Sequence, residues 1–196
     1  MKKGPIFITG LGRSGTTLLG NIIDRHPNIA IFVESFFIPR YYFLQVFFWP
    51  LSKPQNFIRL SKSIINDYAS KENNLQMDSE MLLRVKKRNY SSLINTLMEK
   101  WAKNQGKRRW GDKSPGYISK LPLLHKLFPN AKFIHIIRDG RDVWLSQKRL
   151  GVKRSIVNFA REWVYTICKA KKYAAMHLKE NYHELRYEDL IQDPKK

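Results

Sequence analysis

The chain reads as an α/β protein, a three-layer sandwich on a central parallel sheet with a helical insertion. Three observations predict this. Short apolar runs at 5–9, 29–33 and 132–137 have strand length and no polar alternation, the pattern of strands covered on both faces. Helical patterns follow the first and third of these runs, and strands alternating with helices favour a parallel sheet. A glycine-rich turn, Gly10-Leu11-Gly12-Arg13-Ser14-Gly15-Thr16-Thr17, joins the first strand to the first helix.

Each element follows from local chemistry. Pro5-Ile6-Phe7-Ile8-Thr9 is apolar and closed by Gly10. Thr16 to Arg25 is the first helix, stopped by His26-Pro27-Asn28, because proline cannot continue a helix. Ile29 to Val33 is the second strand, with Glu34 at its carboxyl end. Residues 36–50 are densely aromatic but broken by Pro39, Arg40 and Pro50; they read as helix or irregular lid, lining the core or a substrate pocket. From about 55 to 105 the pattern is polar and helical without strands, as in an insertion or cap. The runs Lys86-Lys87-Arg88 and Lys107-Arg108-Arg109 read as solvated surface, with contact to an acceptor as the alternative. Lys132 to Ile137 is a core strand closed by Arg138-Asp139-Gly140, and Asp142 to Leu150 is a helix. Residues 155–179 form a long amphipathic helix, with Ile156, Phe159, Trp163, Ile167, Ala170 and Ala174 at helical spacing. His183 to Tyr187 is the last strand, and a helix starts at Glu188.

With 196 residues, 43% of them hydrophobic, the chain builds one ordinary core and is not disordered. Thirty-six Lys and Arg against 16 Asp and Glu give a net charge of +20. Such an excess predicts a polyanionic partner, whether nucleic acid, anionic lipid met as a peripheral surface, an acidic glycan or a multiply charged nucleotide; plain solubility is the alternative. Cys168 is the one cysteine, so no internal disulfide forms. The first apolar run is too short for a signal peptide, and Phe36 to Leu51 falls short of the roughly 20 apolar residues that span a bilayer. One cytoplasmic domain over residues 1–196 is the expectation.

The glycine-rich turn carries the chemistry. Its backbone N–H groups and the following helix N-terminus suit a phosphate. Gly10-x4-Gly15 has the spacing of a nucleotide-binding P-loop, yet Thr16 stands where that motif has lysine, and the cation is Arg13 inside the loop. In an open parallel sheet ligands bind beyond the carboxyl ends of strands. Four charged groups fall at such ends: Arg13 with its loop, Glu34, Lys113 in Trp110-Gly111-Asp112-Lys113-Ser114-Pro115, and Arg138. No His/Cys cluster has metal-ligand spacing. His135, in an apolar strand, reads as a core residue; His26, His125, His177 and His183 read as turn or surface. Ser14 lacks the partners of a nucleophile.

Gly12-Arg13-Ser14-Gly15-Thr16-Thr17 resembles the phosphosulfate-binding loop of sulfotransferases that use 3′-phosphoadenylyl sulfate (PAPS). Ile136-Ile137-Arg138-Asp139-Gly140-Arg141-Asp142-Val143-Trp144-Leu145-Ser146 resembles their second signature, in which an arginine and a serine eight residues later grip the 3′-phosphate. Leu185-Arg186-Tyr187-Glu188-Asp189-Leu190, followed by Asp193-Pro194, resembles their strand-to-helix segment. The matches run in order over nearly the whole chain.

The resemblance implies a P-loop-like fold and transfer of a sulfuryl group from PAPS to a hydroxyl, leaving adenosine 3′,5′-bisphosphate (PAP), with no metal. Gly12, Arg13, Ser14, Gly15, Thr16, Thr17, Arg138, Ser146 and Tyr187 would bind the nucleotide. Arg13 and Lys113 would stabilise charge on the leaving phosphate. Cytosolic small-molecule sulfotransferases place a histidine base shortly after the lysine, where this chain has Pro115. Tyrosylprotein sulfotransferases use a glutamate after a His-Pro turn, in a segment similar to His26-Pro27 through Glu34 to Ile38-Pro39-Arg40. That nominates Glu34 as general base, with Asp112 as runner-up unless it neutralises Lys113. The acceptor is a glycan, a lipid, a tyrosine or a small alcohol. Relatives continue through further helices, so the domain is expected to be incomplete at its C-terminus. Two other functions compete: a P-loop kinase or NTPase with a degenerate loop, and a non-enzymatic polyanion binder.

Overall fold

A computed structural model describes residues 4–68, 75 and 79–193; Pro194, named above, lies outside them. Five strands make one sheet: β1 (Ile6–Gly10), β2 (Ile29–Val33), β3 (Arg109–Lys113), β4 (Lys132–Ile137) and β5 (Tyr182–Arg186). Their order is β2-β3-β1-β4-β5, and every neighbouring pair is parallel. The helices are α1 (Thr16–Asp24), α2 (Phe37–Leu44), α3 (Pro54–Tyr68), α4 (Ser79–Leu83), α5 (Tyr90–Asn104), α6 (Leu121–Leu127), α7 (Gly140–Arg149), α8 (Ile156–His177) and α9 (Tyr187–Gln192).

β1 is central, and all five of its residues are buried. Its alternate side chains feed two apolar layers. Ile6 and Ile8 join Leu19, Ile31 and Ile136 beneath α1 and α9. Phe7 points the other way, into a larger core with Phe32, Phe133 and side chains of α3, α5, α6 and α8. There its ring meets Trp110, Phe128 and Phe133. A fully buried Phe contributes roughly 1.5–3 kcal/mol.

The chain leaves β1 for β2 on one side, and β4 pairs with β1 on the other. The loop after β1 therefore opens at the switch point, where the sheet offers a crevice.

Two elements differ from the sequence reading. β3 has no apolar run, yet Trp110 to Ser114 are all buried. It forms because β1 and β2 flank it, and because Gly111 lets Ile6 approach: a Cβ there would lie 2.8 Å from the Ile6 carbonyl oxygen. The aromatic stretch is helical, one of the two readings given for it: α2 followed by a 3₁₀ turn, Gln45–Phe48. Tyr187 opens α9 rather than ending a strand.

The region expected as a cap is helical where described, and α5 is part of the main core layer. It buries Tyr90, Leu93, Ile94, Leu97, Met98, Trp101 and Ala102, and Asn89 and Ser92 close a capping box at its start. The run Lys107-Arg108-Arg109 sits at the amino end of β3, the end opposite the switch point. Lys107 pairs with the Asp24 carboxylate at 2.9 Å, and Arg109 donates to the Gly4 carbonyl at 2.7 Å, so both fasten the fold. Among the described residues no helix is long and apolar enough to cross a membrane.

Candidate functional site

The loop after β1 turns through two left-handed residues, Arg13 (φ 75°) and Gly15 (φ 95°). That conformation is easy for glycine and costly for most side chains. The Ser14 N–H donates to the Leu11 carbonyl at 3.1 Å, and Ser14 is buried, which fits a loop brace and not a nucleophile. Gly15 caps α1 without any side-chain bond, leaving the first-turn N–H groups for an anion. Thr16 is buried, whereas Gly12 and Thr17 face solvent. Tyr187 lies against this loop: a Cβ on Gly15 would sit 2.3 Å from its ring.

Lys113 reaches the site from the adjacent strand, where it stands beside Ile8 of β1. Its side chain is 4% exposed, and its Nζ donates to Glu34 Oε1 at 2.7 Å, while the Glu34 side chain is 40% exposed. The aliphatic stem passes α1 at Gly20, where a Cβ would lie 3.3 Å from Lys113 Cγ. Glu34 is held twice, since its N–H also donates to the Lys113 carbonyl at 2.8 Å. Glu34 (φ 52°) and Phe36 (φ 48°) are also left-handed, so strained backbone clusters at these strand ends.

A second group of residues gathers on the other side of the loop. The Arg138 guanidinium lies 4.4 Å from the centroid of the Tyr187 ring. One of its nitrogens donates to the Arg13 carbonyl at 3.4 Å, another lies 3.6 Å from the Asp142 carboxylate, and its Nε is buried without a partner. Arg13 Nε donates to Ser146 Oγ at 3.1 Å. The structure thus brings Arg13, Arg138, Ser146 and Tyr187 together. Arg13 turns toward this group, not toward the Lys113–Glu34 pair. Asp139 caps α7 by accepting from the Arg141 N–H at 2.8 Å, and the Arg141 guanidinium, with that backbone bond, holds its carboxyl down at about 2.

Asp112 does not neutralise Lys113. Successive strand residues point to opposite faces, and Asp112 points into the large core. It is fully buried; one carboxylate oxygen accepts from Ser114 Oγ at 2.6 Å and the other has no partner. Burial raises its pKa to about 7. Ser35 and Tyr117, hydroxyls 2.7 Å apart, complete this buried polar patch under Glu34. His135 is buried, bonded to the Tyr182 hydroxyl, and lowered by burial to about 4, consistent with a core residue. His26, His177 and His183 are exposed, whereas His125 is half-buried beside Tyr173. Among the described residues no group of three or more His, Cys, Asp or Glu is placed to hold a metal.

Sequence reasoning missed Gly20, which makes room for the lysine, and the Ser35–Tyr117 pair. Neither carries a local signal, because each is defined by a partner far along the chain.

Comparisons with known proteins place the chain in one family. The chain is 32% identical over 136 residues to protein-tyrosine sulfotransferase 1 of Homo sapiens, covering 69% of this chain and 31% of that protein. It is 33% identical over 138 residues to protein-tyrosine sulfotransferase A of Caenorhabditis elegans, with 69% and 30% covered. The chain therefore spans less than a third of the length of these relatives. Among solved structures, the sulfotransferase domain from the Synechococcus PCC 7002 olefin synthase shares the fold, with a TM-score of 0.65 and 22% identity over 98% of this chain and 70% of that one. A model of the sulfotransferase family matches residues 5–196, nearly the whole chain, and the chain belongs to that family.

Proposed function

We propose that this domain transfers a sulfuryl group from PAPS to a hydroxyl acceptor. The observation that carries the reading is the Lys113–Glu34 pair, 2.7 Å apart at the carboxyl ends of β3 and β2 and beside a phosphate-type loop. It sets a buried cation against an exposed carboxylate at the switch point.

In the proposed reaction the acceptor oxygen attacks sulfur while its proton passes to the Glu34 carboxylate. The new O–S bond forms as the bond from sulfur to the bridging phosphate oxygen breaks. The electron pair stays on that phosphate, and PAP leaves. Lys113 Nζ and the loop N–H groups are the donors for the growing phosphate charge. Preplaced donors of this kind are each worth about 100- to 1,000-fold in rate. The second group of residues suits a terminal phosphate: Arg138 is a planar fork with a spare buried N–H, and Ser146 lies beside it through Arg13. Arg13 then acts from the nucleotide side of the loop. Tyrosine is the acceptor named for the curated relatives, and a tyrosine hydroxyl is one member of the acceptor class proposed here.

The test is a calorimetric titration of the chain with PAP and, in parallel, with ATP-Mg. Binding of PAP that Arg138→Ala weakens about 10- to 100-fold supports the reading, since charge-assisted bonds are worth roughly 1.5–3 kcal/mol. Preference for ATP-Mg overturns it in favour of a kinase.

A further inference from the structure

The segment after Glu34 presents a surface that transfer chemistry does not use. α2 buries Phe37, Ile38 and Tyr41. On the outer side, Phe43, Val46, Phe47 and Trp49 are 65%, 64%, 78% and 72% exposed. Single exposed apolar residues are ordinary; four large ones within seven positions form a patch. The support beneath is firm. The Tyr41 hydroxyl donates to the Asp67 carboxylate at 2.6 Å, and the Tyr90 hydroxyl donates to the Ile38 carbonyl at 2.6 Å. The braced helix carries Phe43, and the 3₁₀ turn that continues it carries Val46 and Phe47.

Cations border the patch. Lys126 Nζ donates to the Tyr42 hydroxyl at 3.2 Å, next to Phe43. Arg40 is exposed on α2 with its guanidinium 3.4 Å from the Asp67 carboxylate, and Lys53 follows Trp49 just before α3. The whole chain carries +20, so the long-range field also favours an anionic partner. An eight-residue helix and a 3₁₀ turn offer no long apolar stripe for a partner helix. Aromatic rings beside lysine and arginine are instead the composition that sits at a lipid headgroup boundary.

We propose that Phe43, Val46, Phe47 and Trp49, bordered by Arg40, Lys53 and Lys126, dock this domain onto an anionic lipid bilayer. The rings enter the acyl boundary while the cations meet the headgroups. The proposal stands apart from the transfer reading, which uses other residues.

The test is flotation of the chain with vesicles of phosphatidylcholine alone or with about 30% phosphatidylserine, at low and high salt. The expected result is strong partition onto the anionic vesicles and weak partition onto the neutral ones. A Phe47→Ser/Trp49→Ser variant should reduce the anionic partition at least about tenfold. Both positions are exposed, so the variant should keep the wild-type circular dichroism and PAP affinity. If it does not fold, Phe43→Ser alone replaces it. Failure to bind anionic vesicles overturns the proposal. So does equal binding by wild type and variant, which would leave charge alone as the cause. A wild-type dimer that the variant converts to monomer also overturns it, because the patch would then be a self-interface.

Discussion

Asp112→Asn tests whether the carboxylate next to Lys113 in sequence is a structural group kept neutral or a base. Burial raises its pKa from 3.8 to about 7. In the unfolded chain the group ionises near its ordinary value, so between about 4 and 7 the folded state holds a proton that the unfolded state has lost. Stability then falls as pH rises through that window and levels off above it. At about 1.4 kcal/mol per pH unit, the full interval is worth on the order of 4 kcal/mol, with roughly 2–3 kcal/mol of it lost between pH 5 and pH 8. Asparagine keeps the shape and the bond to Ser114 but cannot ionise. The variant should match the wild type near pH 4 and exceed it by a few kcal/mol at pH 8, as measured by urea unfolding across pH. The difference between the two proteins cancels every other titrating group. A variant equally stable at pH 8, or less stable there, refutes the reasoning, because Asp112 would then be ionised in a compensated site.

Four further outcomes concern the site and the core beside it. Glu34→Gln should abolish turnover on a hydroxyl acceptor while leaving PAP affinity within about threefold; full turnover in a sulfate-transfer assay removes Glu34 as the base. Lys113→Met should lower kcat by about 100- to 1,000-fold, and circular dichroism should show the fold retained, since methionine fills the slot beside Gly20. Gly15→Ala should destabilise by about 1–2 kcal/mol and also weaken PAP, because the left-handed backbone and the Tyr187 ring both oppose a methyl group there; unchanged PAP affinity would detach Tyr187 from the nucleotide. His135 has its pKa lowered to about 4, so its contribution to stability is present above about 6.5 and lost as pH falls toward 4; His135→Gln should flatten that acid limb in a thermal-melt series.

What was legible in the chain depended on whether a residue's role is set by its neighbours in sequence. β1, β2 and β4 announce themselves because two-sided burial selects apolar residues in a row. β3 does not, because Arg109, Trp110, Gly111, Asp112 and Lys113 answer to different surroundings: a staple at the amino end, the large core, the close approach of Ile6, a sealed carboxyl group and the site. The position of Glu34 followed from the end of β2, but its partner required knowing that β3 lies between β1 and β2. The direction of Arg13 was not legible at all. The loop spacing places its Cα, whereas its guanidinium is fixed by Ser146, 133 residues away in the chain.

The same topology explains why the loop tolerates Thr16 where a P-loop has lysine. In this sheet β3 lies directly beside β1, with Lys113 in register with Ile8, two residues before the loop begins. A cation delivered from that strand reaches the switch point without occupying the loop. Its stem is buried beside Gly20, so its position is fixed before any ligand arrives, and the carboxylate it meets belongs to the next strand, β2. Supplying charge from β3 couples the cation to Glu34, a coupling that a loop lysine at position 16 would lack. Restoring the loop lysine with Thr16→Lys should therefore not rescue Lys113→Met in the transfer assay, because it returns the charge without the bond to Glu34. Rescue to near wild-type turnover would show that charge alone suffices and that the pairing is incidental.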